Sequence, residues 1–422
     1  MGSIIVKEIV RLTGAIALVS MAGLPSVQAG VVADWNAITV SCVQGGKYPA
    51  NRGGPAGLLD IALVQASVHD AVQAIQGKFE SYQYENPAAR GRGSTSAAVA
   101  AAAHSVLTGL YGADAACLDE VPDPAATYPG DAGLDVGAEA AASLLALYRP
   151  TIALPPFLGS EAPGKWRPTP GVTQGAATFL AITAPFAMKH PKQFRPAPPP
   201  HLRSWRYVLD YYEVKALGSA ASTARTHEQT DAAHFWSVNF FAQWNEALRG
   251  IANEHLADVG DAARLFALTA FAAADSQISV YDAKYHYNYW RPITAIQQGG
   301  ADGNSWTVGD AAWTPMLVTP PYPDYSSGAN CLTAAITTVL QRFFDTDRLS
   351  FAVWTTNPNA SVNPRKFRRI SDVQREMVDV RIWQGIHFRT AEEVGRRQGE
   401  RIGDWTFSKY LQPLKKQHPK KH

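Results

Sequence analysis

One segment constrains the architecture more than any other. From Ala262 to Tyr285 the chain reads AARLFALTAFAAADSQISVYDAKY, apolar around most of its circumference at helical spacing. A helix without a polar face belongs in an interior, so this one is expected at the centre of a large bundle. Its neighbours fit that picture. Gly57 to Ile75 sets Leu59, Ala62, Leu63, Ala66, Val72 and Ile75 at helical spacing, while Ser94 to Gly112 and Gly133 to Tyr148 are Ala-rich and suit close helix packing. Period-two patterns are scarce, and no internal repeat of short fixed period appears. The expected fold class is all-α, built from helical bundles.

Composition supports a sizeable core: 422 residues, 46% hydrophobic and 18% charged. A net charge of +2 lacks the dense basic face of a nucleic-acid binder. The single basic cluster, Lys415 to His422, reads as a solvated tail within residues 413–422. At the other end Lys7 and Arg11 precede an apolar run from Leu12 to Leu24, followed by Val27-Gln28-Ala29. That is the form of a signal peptide cleaved after about Ala29, too short to span a membrane comfortably. The product is expected to be exported, periplasmic or secreted, with no membrane span, and a homo-oligomer is compatible with it. Of the three cysteines, Cys42 and Cys117 could form a disulfide in an oxidising compartment, and Cys331 reads as a buried free thiol. Neither Cys-x-x-Cys nor His-Glu-x-x-His spacing appears, which disfavours zinc.

Between Pro150 and Pro200 the texture turns to proline with aromatic and basic residues, and Gly299 to Ser326 is similar. Such stretches either wall a pocket or wrap the surface of the bundle. Neither reads as a flexible linker, so residues 30–412 are expected to form one domain. Lys165-Trp-Arg-Pro reads as loop packing, and His69, His227, His234 and His255 as histidines of helical runs.

Three distant segments carry the chemistry. Lys284 and Arg291 are seven apart; on one helix they would lie about 20° from a common line, two turns along. Two cations so aligned could grip one multiply charged oxyanion, and Pro292 would end or kink the helix. Ser327-Gly328 opens the next helical pattern, offering a hydroxyl and free backbone N–H groups to an anion. Arg381 and His387 flank Gly385 ahead of a helix expected to start at Thr390, where Thr390 and Glu393 would form a capping box.

Lys-x6-Arg-Pro, a Ser-Gly element and Arg-x5-His, in that order, resemble the shared signature of vanadium-dependent haloperoxidases and type 2 phosphatidic-acid-phosphatase-like acid phosphatases. The likeness extends to WNEALRGIANEH, YDAKYHYNYWRPITAI and WNAITV, and is closest to exported bacterial haloperoxidase relatives. It implies an all-α fold and a vanadate centre, with phosphate as a competing or alternative anion. Lys284, Arg291 and Arg381 would neutralise the oxygens, and Ser327 and Gly328 would donate hydrogen bonds. His387 would ligate vanadium or attack phosphorus. The implied partners are hydrogen peroxide and a halide or small organic substrate.

The chain departs from that signature where the family carries an acid/base histidine, since position 329 is alanine. Loss of a general acid/base typically costs about a hundred- to ten-thousandfold in rate. Val380 and Ala391 replace a serine and an aspartate flanking the third motif, so the carboxylate orienting His387 would have to be Glu392 or Glu393. His286, Asp324 or a water would have to carry the missing proton chemistry. The expected function is a vanadate-dependent peroxidase with altered or reduced halogenation. An acid phosphatase with His387 as nucleophile, and a non-redox oxyanion-binding or isomerase homologue, are the alternatives.

Overall fold

The structure is a computed structural model describing residues 30–45, 54–112 and 115–414. The expected signal peptide and the basic run from Lys415 lie outside those residues. The helices follow one another as α1 (Gly30–Gln44), α2 (Gly57–Gln76), α3 (Thr95–Tyr111), the single turn α4 (Pro124–Thr127) and α5 (Gly133–Leu145). Then come α6 (Trp205–Leu217), α7 (His227–Phe235), α8 (Phe240–His255), α9 (Val259–Tyr287) and the short α10 (Pro292–Gln297). The chain closes with α11 (Gly328–Phe344), α12 (Ile370–Trp383) and α13 (Arg389–Lys409). Strands β1 (Phe351–Val353) and β2 (Arg365–Phe367) pair antiparallel, with Phe351 opposite Phe367.

α9 is the predicted central helix. All but one residue from Val259 to Lys284 is buried, and it packs on α2, α11 and α13. Helix α2 is apolar and long enough to cross a membrane, yet it is wholly buried inside the bundle. Small residues set the closest approach. Gly395, Gly399 and Gly403 on α13 press against α11, and a Cβ at Gly399 would fall 2.1 Å from the Cys331 carbonyl. The same row seats α13 against Ser327, because a Cβ at Gly395 would meet the Ser327 carbonyl at 2.5 Å.

Of the two readings of residues 150–200, the surface wrap is observed: none of them lines the cavity described below. Phe157 packs edge-on against Tyr285, and Asp275 of α9 collects the N–H groups of Phe186, Ala187 and Met188 at 2.7, 2.8 and 2.7 Å. Arg167 is held by Glu161, as loop packing requires. Cys42 and Cys117 form a disulfide with Cα atoms 5.0 Å apart, and Cys331 is buried and free. His69 sits in the core with Nε2 3.0 Å from the Glu80 carbonyl; burial pushes its pKa down to about 4, so it is neutral at ordinary pH.

Candidate oxyanion site

Lys284 and Arg291 come together by a route the sequence spacing does not describe. Helix α9 stops at Asn288, which adopts φ 51° and returns its N–H to the Lys284 carbonyl at 2.9 Å. The chain then crosses to Arg291, the residue capping α10, and Pro292 occupies that helix's first turn. The two cations therefore do not share a helix face, and Pro292 starts a helix instead of ending one. They converge because both bind carbonyls of one extended segment. Lys284 Nζ donates to Pro323 and Asp324 at 2.8 and 2.9 Å, and Arg291 Nε donates to Tyr322 at 2.8 Å. The Tyr322 ring lies 5.1 Å from the ammonium and 5.0 Å from the guanidinium.

Ser327 caps α11, its hydroxyl accepting from Asn330 N–H at 3.4 Å, while its own N–H donates to the Ala391 carbonyl at 3.0 Å. It stands behind the cavity wall. Gly328 lies on that wall, and as the first residue of α11 it carries an N–H that no carbonyl within the helix can reach.

Arg381 lies in the last turn of α12. Gly385, at φ 77°, turns the chain so tightly that a Cβ would fall 2.2 Å from the Gly218 carbonyl. That turn brings His387 to the cavity beside Arg381. Helix α13 then begins at Arg389, not Thr390, and the expected capping box is not formed. Arg206 takes both of its members, Thr390 Oγ1 at 2.7 Å and Glu393 at 3.0 Å. The Thr390 N–H goes instead to Asp210 of α6 at 3.2 Å, so a neighbouring helix supplies the cap.

The carboxylate oriented on His387 comes from position 324. Asp324 Oδ1 is 2.7 Å from Nδ1, and Glu392 Oε1 is 3.6 Å away, beyond hydrogen-bond reach. Arg291 Nη1 lies 3.1 Å from Nε2 and 3.4 Å from Nδ1, so it is not aligned with the lone pair of either nitrogen. The Asp324 contact draws the ring proton to Nδ1 and leaves the lone pair on Nε2. Burial first, then the charges of Arg291, Lys284 and Arg381, hold the His387 pKa well below its usual value. Burial raises Asp324 to about 8 against the pull of Arg291 and Lys284, and raises Glu392 to about 7 against Arg381. Lys284 is pushed well below the ordinary ammonium range by burial and the Arg291 charge. His286 is exposed and packs edge-on against Tyr287, which removes it from the site.

Lys284, Gly328, Arg381 and His387 border a cavity of ≈ 220 Å³, whose lining also includes Gln277 and Ala329 but not Arg291, which lies behind that wall against His387. Arg291 Nη2 and Arg381 Nε are buried without a hydrogen-bond partner among the described residues. Unpartnered guanidinium nitrogens in an interior are costly unless an anion completes them. Asp324 Oδ2 and Glu392 Oε1 are orphaned too, and neither residue lines the cavity.

Comparisons with known proteins bear on the fold that carries this site. Residues 264–416 match the family model of the VCPO second helical-bundle domain. Vanadium chloroperoxidase of Curvularia inaequalis is 28% identical over 207 residues, which covers 40% of this chain and 33% of that enzyme. The chain thus matches about a third of the length of that curated relative. The crystal structure of the first bacterial vanadium-dependent iodoperoxidase superposes with a TM-score of 0.73 at 20% identity, covering 94% of this chain and 100% of that one. A holo-type bacterial vanadium-dependent chloroperoxidase gives a TM-score of 0.69 at 18% identity, covering 86% and 94%. The fold is that of the helical vanadium haloperoxidases, as the sequence implied. Residues 264–416 match the second helical-bundle domain of that family, and over the rest of the chain the likeness is one of fold.

Proposed function

We propose that the pocket holds a tetrahedral oxyanion and that the chain is a vanadate-dependent peroxidase with reduced halogenating power. The observation that carries this reading is the pair of buried guanidinium nitrogens on Arg291 and Arg381 that lack partners beside the His387 lone pair. The residues fit vanadate. Lys284, Arg291, Arg381 and the Gly328 N–H would hold its oxygens, and His387 Nε2 would bind the metal. Asp324 and Glu392 do not oppose an anion while they stay protonated, and their raised pKa values favour that state near neutrality.

Bound vanadate would supply Lewis acidity toward hydrogen peroxide, which a halide or small organic substrate then reduces. The chain's own work is to orient and to exclude water. Asp324 keeps the ring proton on Nδ1, so Nε2 stays free to bind. Ala329 puts a methyl group on the wall beside Gly328, leaving no imidazole there to take a proton from the incoming peroxide. The Cys42–Cys117 disulfide supports export to an oxidising compartment.

The test is bromination of a phenol dye by purified protein with vanadate and peroxide. Turnover above free vanadate is expected, rising about a hundredfold or more in Ala329→His. Turnover no faster than free vanadate in both proteins would refute the peroxidase. The second reading is phosphate monoester hydrolysis with His387 Nε2 as nucleophile, favoured by the same Asp324–His387 contact. Release of phosphate from an aryl phosphate, lost in His387→Ala, would select it.

A further inference from the structure

The cavity has a second, apolar half that the anion does not need. Pro55 and Leu58 of the α2 entrance, Phe240 and Phe241 of α8, and Ala329 and Leu332 of α11 line it together with the polar groups. The two halves touch: the Phe240 ring sits 5.0 Å from the Arg381 guanidinium, and Ala329 directly follows Gly328. At Ala329, where the resembled signature has an imidazole, only a methyl group stands, and it remains accessible from the cavity at 8% exposure. The two halves together enclose ≈ 220 Å³, against the roughly 150 Å³ of an apolar cavity that accommodates benzene alone.

We propose that this half binds a single aromatic ring beside the oxyanion, so that the organic substrate is an aryl compound docked in the space left by Ala329. The inference rests on the oxyanion reading above. It deepens that reading by naming the substrate class. Charge and shape both argue for it. Cations cover one wall, apolar side chains cover the other, and no carboxylate lines the cavity among the described residues. A ring attached to the anion, as in an aryl phosphate, and a free phenol beside a separate anion share the same recognition. The physical cause is removal of aromatic and wall surface from water, next to a fixed electrostatic anchor.

Three probes separate the terms by calorimetry on the full protein: inorganic phosphate, methylphosphonate and phenylphosphonate. Phenylphosphonate is expected to bind at least tenfold more tightly than methylphosphonate. Phenol titrated into phosphate-loaded protein tells whether a detached ring uses the same surface, and binding is expected there as well. Ala329→Phe fills the space and should abolish the phenyl advantage, read as the ratio of phenylphosphonate to methylphosphonate affinity within the same variant. Should that variant fail to fold, Leu332→Ala, which strips the wall without adding bulk, is expected to cut the advantage at least threefold. Equal affinities for methyl- and phenylphosphonate, with phosphate bound normally, would overturn the aryl proposal and leave the oxyanion reading intact. An advantage that survives both substitutions would overturn it too. No binding of any of the three would overturn both.

Discussion

Two pairs of buried aspartates and glutamates teach opposite lessons. Asp70 and Asp275 are structural anchors. Asp70 collects the N–H groups of Tyr82, Gln83 and Tyr84 at 2.6, 2.8 and 2.8 Å, and Asp275 those of residues 186–188. Burial raises both to about 6, and three N–H donors each keep them from rising further. Asp324 and Glu392, equally buried, each retain an oxygen without a partner and reach about 8 and 7. A fold that satisfies its anchoring carboxylates so fully leaves these two short of partners beside a histidine and three cations. Incompletely paired acids beside a buried histidine and three basic side chains mark a site, where fully paired ones mark an anchor.

The same substitution on both sides breaks the comparison if it is wrong. Asp275→Asn should cost about 3 kcal/mol, because an amide NH2 would face N–H donors that now share one oxygen. Asp70→Asn should cost a similar amount, and urea melts of both variants measure it. Asp324→Asn should change stability by less than about 1 kcal/mol at pH 6, since an amide mimics the protonated acid already favoured there. A large loss at Asp324, or a negligible one at Asp275, would erase the distinction.

pH sharpens it further. A raised carboxyl pKa gives stability that is full below the unfolded value and lost as pH rises through the folded one. For Asp70 and Asp275 that loss is largely complete near pH 6, whereas Glu392 and Asp324 extend it to about 7 and 8. His69 and His387, with lowered values, act in the other direction: their stability is present above the unfolded pKa and lost as pH falls. The Asp324 contribution to stability of the anion-free protein should therefore decline by about 1–2 kcal/mol between pH 6.5 and 8, while the lowered Lys284 acts in the opposite direction. Asp324→Asn should flatten that limb, as thermal melts across the range would show. An unchanged slope would assign the decline elsewhere.

Much of this was written in the sequence. The apolar circumference of α9 announced a buried central helix, and the three motif segments named Lys284, Arg291, Arg381 and His387 before any geometry. Spacing misled where a single residue reset the backbone. Asn288 entered the left-handed region and cut α9 short, so a seven-residue interval stopped being a helical one. Tertiary partners misled elsewhere, since Arg206 recruited the Thr390 and Glu393 side chains that local pattern assigned to a cap. Asp324 lies 63 residues from His387, and no periodicity links them. Its placement beside a Pro and a Ser-Gly helix start marked it only as a stand-in for the missing histidine, not as the partner of Nδ1.

The central claim is that Lys284, Arg291 and Arg381 enclose one tetraoxo anion next to His387. Equilibrium dialysis against orthovanadate, with metal analysis of the retained protein, tests it without relying on turnover. About one vanadium per chain is expected, displaced by phosphate and bound at least tenfold more weakly in both Arg291→Ala and Arg381→Ala. No retained vanadium, or retention unaffected by either substitution in folded protein, would contradict it.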